Sequence, residues 1–469
     1  MKRMLSSIPA LIICLSLAVG CAGNSPAQTN SSQSAAAQSE SAALQPAEQS
    51  ASAVAESESA QPVENVEIRA AWWGDTGRND LYQQITGRFE ADNPDVKVIC
   101  EPVSWTDYWD KLAVQTSSNN APDFMGMHPQ YAADYIGRGK IEPLQQYIDS
   151  GALNMEGWPE GVINTGSVNG TLYMLAMGVT FSSVFVNDGL FEQLGVTKPG
   201  FDWNWDDMKT IGTDTRAKLD AAGMDSSWFM ADLSNNLNSW RYFVRQNGHE
   251  IYTADGEIGF TLEDVTDWWT MYTEFRQLGI VPDAATTTEY STATLEDSLF
   301  SRDKVLAILV PVNQFKLYST TFPDKKLSII RNPSAAGKAV GEFPEGAHFA
   351  ISSASAPEKK AAAARLMNFW INSAASLELF GLDQGVPGNT SLSDSYMPNL
   401  DEYQLQIYDF VEKLSEIGTP STFPAAGATE VDALFKSIAE SISFEQTTVE
   451  DGAQQFFEQA KTIVADNKS

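Results

Sequence analysis

From residue 66 onward the chain keeps a rhythm that few folds accommodate. Val66 to Ala71 is a short alternating run of strand type, and it stops at Trp72-Trp73-Gly74-Asp75. From Asn79 to Asp92 the apolar positions Leu81, Ile85 and Phe89 fall four apart, with Asn79 or Asp80 as the expected cap. That spacing gathers them on one helical face. Asn93-Pro94-Asp95 reads as a turn and Val96 to Cys100 as a second strand; Tyr108 and Leu112 belong to another helix, and Asp123 to Met127 to another strand. Strand, Gly-containing loop and amphipathic helix in succession predict an α/β fold with a parallel sheet, in which a ligand sits beyond the carboxyl ends of the strands.

At 469 residues, two or more globular units are expected. Hydrophobic residues make up 43%, enough to bury a core, so disorder of the whole chain is excluded. The 61 acidic against 30 basic side chains leave a formal charge of −31, and no basic cluster exceeds the pairs Lys325-Lys326 and Lys359-Lys360. Such a surface repels phosphate backbones and anionic headgroups, which argues against nucleic-acid binding and electrostatic membrane docking. Three Cys and three His leave little room for metal clusters or a disulfide framework. No metal or cofactor is expected, and no repeat of solenoid length is present.

The amino terminus carries an address. Lys2 and Arg3 precede an apolar stretch from Ile8 to Gly20, long enough for a signal sequence and too short to span a membrane. Leu17-Ala18-Val19-Gly20-Cys21 resembles the lipobox of bacterial lipoproteins, with Ala18 where a large aliphatic residue is usual. Residues 1–20 are therefore expected to be removed and Cys21 to be lipidated. Residues 21–65, rich in Ser, Ala, Gln and Glu, are expected to form a flexible tether. Cys14 leaves with the signal, so only Cys100 remains as a thiol and no intramolecular disulfide is expected.

Farther along, Ala356-Pro357-Glu358 opens a helix that continues from Ala361 to Trp370. Val431, Leu434, Phe435, Ile438 and Ile442 form one helical stripe; Val449, Ala453, Phe456, Ala460 and Ile463 form another. Trp268 and Trp269, within a helical stretch, are assigned to packing, as are Trp203, Trp205, Trp228 and Trp370.

Several stretches together resemble the family 1 extracellular solute-binding proteins of bacterial ABC transporters, which include many sugar and oligosaccharide receptors. They are Phe89 to Val98, Ala121-Pro122-Asp123-Phe124, Gly139 to Leu144, Asn169 to Leu175, Val184 to Phe191, Trp205 to Met208 and Gln384-Gly385-Val386-Pro387. Val186-Asn187 stands where a Tyr-Asn pair is common. The resemblance runs from about Val66 to the carboxyl terminus. It implies two α/β lobes with the ligand cleft between them: 66–180 plus about 351–395, and 181–350 plus about 396–469. It places the first crossing near Gly178 to Ser182 and the return near Ala350 to Ser353. It further implies a monomer on the extracellular face of the cytoplasmic membrane that works with the transmembrane subunits of a permease.

The expected ligand is a neutral sugar or oligosaccharide, captured by closure of the lobes; it offers hydroxyls on its rim and C–H faces, so its site needs aromatic platforms with amides or carboxylates beside them. Trp72 and Trp73 end the first strand, and at least one is expected to touch ligand, the other reading being core packing. Asp75 follows as a hydroxyl acceptor or a helix cap. His128 and Gln130 follow the strand Asp123 to Met127 at its carboxyl end. Asp107 and Tyr108 sit between Trp105 and Trp109, a cluster that either lines the cleft or caps a helix. The resemblance adds Thr180 on the crossing and Trp240 as a second-lobe aromatic. Asn313 and Gln314 follow the apolar run Val305 to Val310, and the Gln384-Gly385 loop is expected to approach the ligand through its backbone.

Rival readings remain. The chain contains no His-Glu-x-x-His, Gly-x-Ser-x-Gly or Walker-type loop, although an acidic chain always supplies carboxylate pairs for a glycosidase. A structural or adhesive lipoprotein would need no ligand. A cationic ligand such as a polyamine would suit Asp75 and the overall charge.

Overall fold

The computed structural model describes residues 65–291, 293–338 and 341–468. The signal segment, Cys21 and the tether before residue 65 lie outside the described residues. The strands run in chain order β1 (Val66–Trp73), β2 (Val96–Val103), β3 (Phe124–Met127), β4 (Ser167–Val168), β5 (Thr171–Leu172), β6 (Met174–Ala176), β7 (Ser182–Asn187), β8 (Trp228–Met230), β9 (Val305–Pro311), β10 (Leu327–Ile330) and β11 (His348–Ile351).

They form two main sheets, each the centre of a lobe. The first has the order β2-β1-β3-β11-β6, with β1 parallel to β2 and β3, and β11 antiparallel to β3 and β6. The second has the order β10-β7-β9-β8, with β8 parallel to β9 and β7 antiparallel to both neighbours. The parallel pairing expected around β1 is present, whereas the second sheet is mixed. β4 and β5 form a separate hairpin whose turn, Asn169-Gly170, has φ of 51° and 75°. Positive φ at both positions is what a two-residue turn of this hand requires.

Both faces of the second sheet are covered. Val184 and Val186 of β7 join one apolar cluster, and Phe185 between them joins another, as alternation along a strand dictates. The two helical stripes become the helices Ala428–Ser443 and Val449–Asn467, whose Val431, Phe435, Ala453 and Phe456 are fully buried. In the first lobe the helix Pro357–Asn372 presses Trp370 against Phe124 and Phe349. Helix Thr76–Asp92 starts earlier than its apolar spacing indicates, because Asp75, not Asn79 or Asp80, accepts the Arg78 amide as its cap.

Three backbone segments connect the lobes side by side. Val179 exchanges hydrogen bonds with Val386 at 2.7 and 2.8 Å, and Thr180 with Glu345 at 3.1 and 2.8 Å. The return precedes β11, so it lies before His348, a few residues ahead of the expected Ala350 to Ser353. Glycine is required where these segments touch. A Cβ on Gly346 (φ 149°) would lie 2.5 Å from the Gly178 carbonyl oxygen, and one on Gly385 (φ 110°) 2.2 Å from that of Val179.

Candidate functional site

Between the lobes lies a cavity of about 470 Å³. The first lobe contributes His128, Pro129 and Gln130, directly after β3. The second contributes Asp232, Asn235, Asn236 and Asn238 after β8, then Arg241 from the helix Leu237–Gln246, and Tyr290 near the helix Ala284–Glu289. Phe343, Pro344, Glu345 and Gly346 enter from the return segment, and Asp432 and Lys436 from the helix Ala428–Ser443. An adjoining cavity of about 160 Å³ shares Pro129, Arg241, Glu345 and Gly346 and adds Thr165 and His348.

The local chain explains this arrangement. β3 and β8 each run parallel to a neighbour, so their carboxyl ends open where no further strand pairing continues. His128 caps the helix Pro129–Gly137, its Nδ1 accepting the Gln130 amide at 3.3 Å. Burial, with Arg241 adding to it, pushes the imidazole down to about 4, so it is neutral at pH 7 and able to accept that bond. The Gln130 side-chain amide donates to Asp432 Oδ2 at 2.9 Å, joining the two lobes across the cavity.

The carboxylates differ in their commitments. Asp232 accepts from Arg276 Nη1 at 2.7 Å and from the Ser234 amide at 2.8 Å. Burial raises Asp432, against the Gln130 bond and the charges of Lys436 and Arg241. Glu345 is pushed up to about 7 by burial, with Arg241 pulling the other way. Asn238 Nδ2 donates to Glu345 Oε1 at 3.3 Å.

Of the residues singled out in the sequence, His128 and Gln130 line this cavity. Trp72 does not: it is 1% exposed, donates to Asn79 Oδ1 at 3.1 Å and packs on Tyr82 and Trp370. Trp73 is buried among Trp105, Tyr108 and Trp109 on the other side of the sheet. Tyr108 is likewise core, its hydroxyl donating to the Gly126 carbonyl at 2.7 Å. Asp107 is exposed and accepts from the Ser104 hydroxyl in the first turn of the helix Trp105–Ser117. Asp75 is the helix cap already described. Trp240 is fully buried, stacked on Phe435, with its indole N–H given to the Asp264 carbonyl, so no face is left for a ligand.

Thr180, Asn313, Gln384 and Gly385 come together at the crossing instead. Thr180 Oγ1 donates to Asn313 Oδ1 at 3.2 Å, and Asn313 Nδ2 donates to the Asp383 carbonyl at 2.7 Å. Asp383 accepts from Arg78 Nε at 2.9 Å, and Gln384 lies against the Tyr82 hydroxyl. Gly385 approaches a neighbouring crossing segment, as its missing Cβ permits, and Gln314 ends the 3-10 turn Val312–Gln314. Thr180 and Asn313 tie the crossing to the Asp383–Gln384 loop, and none of these residues lines the cavity.

The residues missed in the sequence include Tyr290, Phe343, Glu345, Asp432 and Lys436 and, after β8, Asp232, Asn235, Asn236, Asn238 and Arg241. A signal was present: a run of Asp, Ser and Asn directly after the short apolar strand Trp228–Met230. In the helix that follows, Trp240 turns into the core and its neighbour Arg241 turns toward the cavity.

Residues 84–404 match the model of the bacterial extracellular solute-binding protein family, and the chain belongs to that family. A putative binding protein of Brucella abortus (strain 2308) is 24% identical over 272 residues, which are 56% of this chain and 62% of that relative. The match thus spans less than two thirds of the relative's length. A periplasmic solute-binding protein from Pectobacterium atrosepticum has a similar structure at a TM-score of 0.75, with 20% identity over 86% of this chain and 99% of the other. A periplasmic oligogalacturonide-binding protein from Yersinia enterocolitica, in complex with saturated digalacturonic acid, gives 0.74, with 19% identity over 86% and 100% of the two chains. At such identities the likeness establishes the two-lobed α/β fold. Among the described residues no helix is long and apolar enough to cross a membrane.

Proposed function

We propose that the protein is a receptor, anchored through lipid on Cys21 at the extracellular face of the cytoplasmic membrane, that captures a sugar or oligosaccharide between its lobes. It acts as a monomer and hands the saccharide to the transmembrane subunits of an ABC permease. The observation that supports this reading most is the interlobe cavity of about 470 Å³ lined by Gln130, Asn235, Asn236 and Asn238 together with Glu345 and Asp432. Amides and carboxyls of this kind pair with vicinal hydroxyls, while Tyr290 supplies an apolar face for C–H groups. The size falls within the ~300–1,000 Å³ of small-ligand sites. Contact with both lobes at once gives the differential affinity that closure needs.

A polyamine is the second reading, favoured by Asp232, Glu345 and Asp432 in the lining. Arg241 and Lys436 in the same lining weaken it by like-charge repulsion. Thermal melting of the protein against mono- and oligosaccharides, putrescine and spermidine separates the two. A rise in melting temperature with a saccharide, and no loss of that saccharide over hours, is expected. A rise with polyamines alone, consumption of the sugar, or no response across the panel would each defeat the saccharide-receptor reading.

A further inference from the structure

The charged groups of the cavity are unequally satisfied. Each carboxylate has a donor: Asp232 has Arg276, Asp432 has Gln130 and Glu345 has Asn238. The two cations of the lining, Arg241 and Lys436, have no acceptor among the described residues. The Arg241 guanidinium lies over the Phe343 ring, 5.3 Å from its centroid, and among the described residues it makes no hydrogen bond or ion pair. Arg241 is half-buried and borders both the larger cavity and the adjoining one. A guanidinium keeps its proton at any ordinary pH and presents its N–H donors in a flat fork. A cation–π contact with the ring occupies no acceptor atom, so the fork still has its hydrogen bonds to give. Lys436, also in the lining, adds a second positive charge with no ion pair among the described residues.

We propose that the captured saccharide is acidic, and that Arg241 receives the carboxylate of a uronic-acid residue through a two-pronged hydrogen-bonded pair. The inference rests on the saccharide reading above and replaces the neutral sugar expected from the sequence. A flat fork matches a carboxylate better than it matches a lone hydroxyl, because two parallel N–H···O bonds form at once. Burial favours the neutral form of the neighbouring Glu345 carboxyl, which lessens its repulsion of an incoming carboxylate. The formal charge of −31 opposes an anion at long range. Salt screens such a field beyond ~8 Å at physiological ionic strength, so it slows encounter more than it weakens a contact pair.

Isothermal titration of the full chain tests this with oligogalacturonides and oligoglucuronides, each beside its carboxyl-reduced counterpart. The unreduced form is expected to bind ~10–100-fold more tightly, the worth of a charge-assisted pair. Arg241→Gln should collapse that preference, and Arg241→Lys, which keeps the charge without the fork, should retain part of it. Melting curves of both variants verify that they fold. Equal or tighter binding of the reduced sugars overturns the inference and leaves the saccharide reading standing, as does a preference that survives Arg241→Gln. Silence with every saccharide, acidic or neutral, overturns both.

Discussion

β1 and β8 both end where an α/β lobe can open a ligand site, yet they do so to opposite effect. β1 ends in Trp72 and Trp73, the most ligand-like pair in the sequence, and both indoles are buried in the first lobe. β8 ends in a polar loop without an aromatic ring, and Asp232, Asn235, Asn236 and Asn238 line the cavity. The contrast arises from what packs over each end. Helices on both faces of β1 bring Tyr82 and Trp370 onto Trp72, and Trp105 and Trp109 onto Trp73. After β8 the chain turns away along Leu237–Gln246, leaving its amides without an apolar cover. Trp72 and Trp73 are thus sealed into the lobe, whereas Asn235, Asn236 and Asn238 face the cavity.

The largest expected effect comes from the β1 end. Trp72→Ala should cost ~3–5 kcal/mol of stability through the cavity it leaves, read by urea unfolding. Full stability with lost ligand binding would instead make Trp72 a site residue and break the contrast. Next in size is a pH effect at Glu345, whose carboxyl rises from an ordinary 4.5 to about 7 on burial. Because the fold favours its neutral form, its contribution to stability is complete below about 4.5 and is lost as pH rises toward about 7. Glu345→Gln should therefore gain stability relative to the parent as pH increases across that window. A difference in melting that stays constant with pH would place the carboxyl in water. The smallest effect on stability belongs to the β8 end: Asn235→Ala should change it by less than ~0.5 kcal/mol. The same change should weaken ligand affinity by up to ~10-fold, measured by titration, if its amide bonds the ligand.

Much of the frame was legible in the chain. The strand–helix alternation gave β1 to β3 with ends correct to a few residues, and the two apolar stripes became the buried faces of the last two helices. His128 and Gln130 were legible as cavity residues because they directly follow a parallel strand. Trp240 and Arg241 were not separable, since adjacent helical residues diverge by about a quarter turn and only packing decides which one faces inward. Thr180, Asn313, Gln384 and Gly385 do share one place, which is the crossing between lobes and not the cavity.

The sequence by itself determined the α/β alternation, the helix faces and the surplus of acid, because these depend on spacing and composition within short windows. Only the tertiary structure decided which aromatic rings were sealed and which polar groups kept an open side. Burial of a side chain is settled by what distant segments bring over it: Trp370 onto Trp72, Phe435 onto Trp240, and Phe343 beneath Arg241. The same long-range packing gave each carboxylate in the cavity a donor and left the Arg241 guanidinium without an acceptor among the described residues.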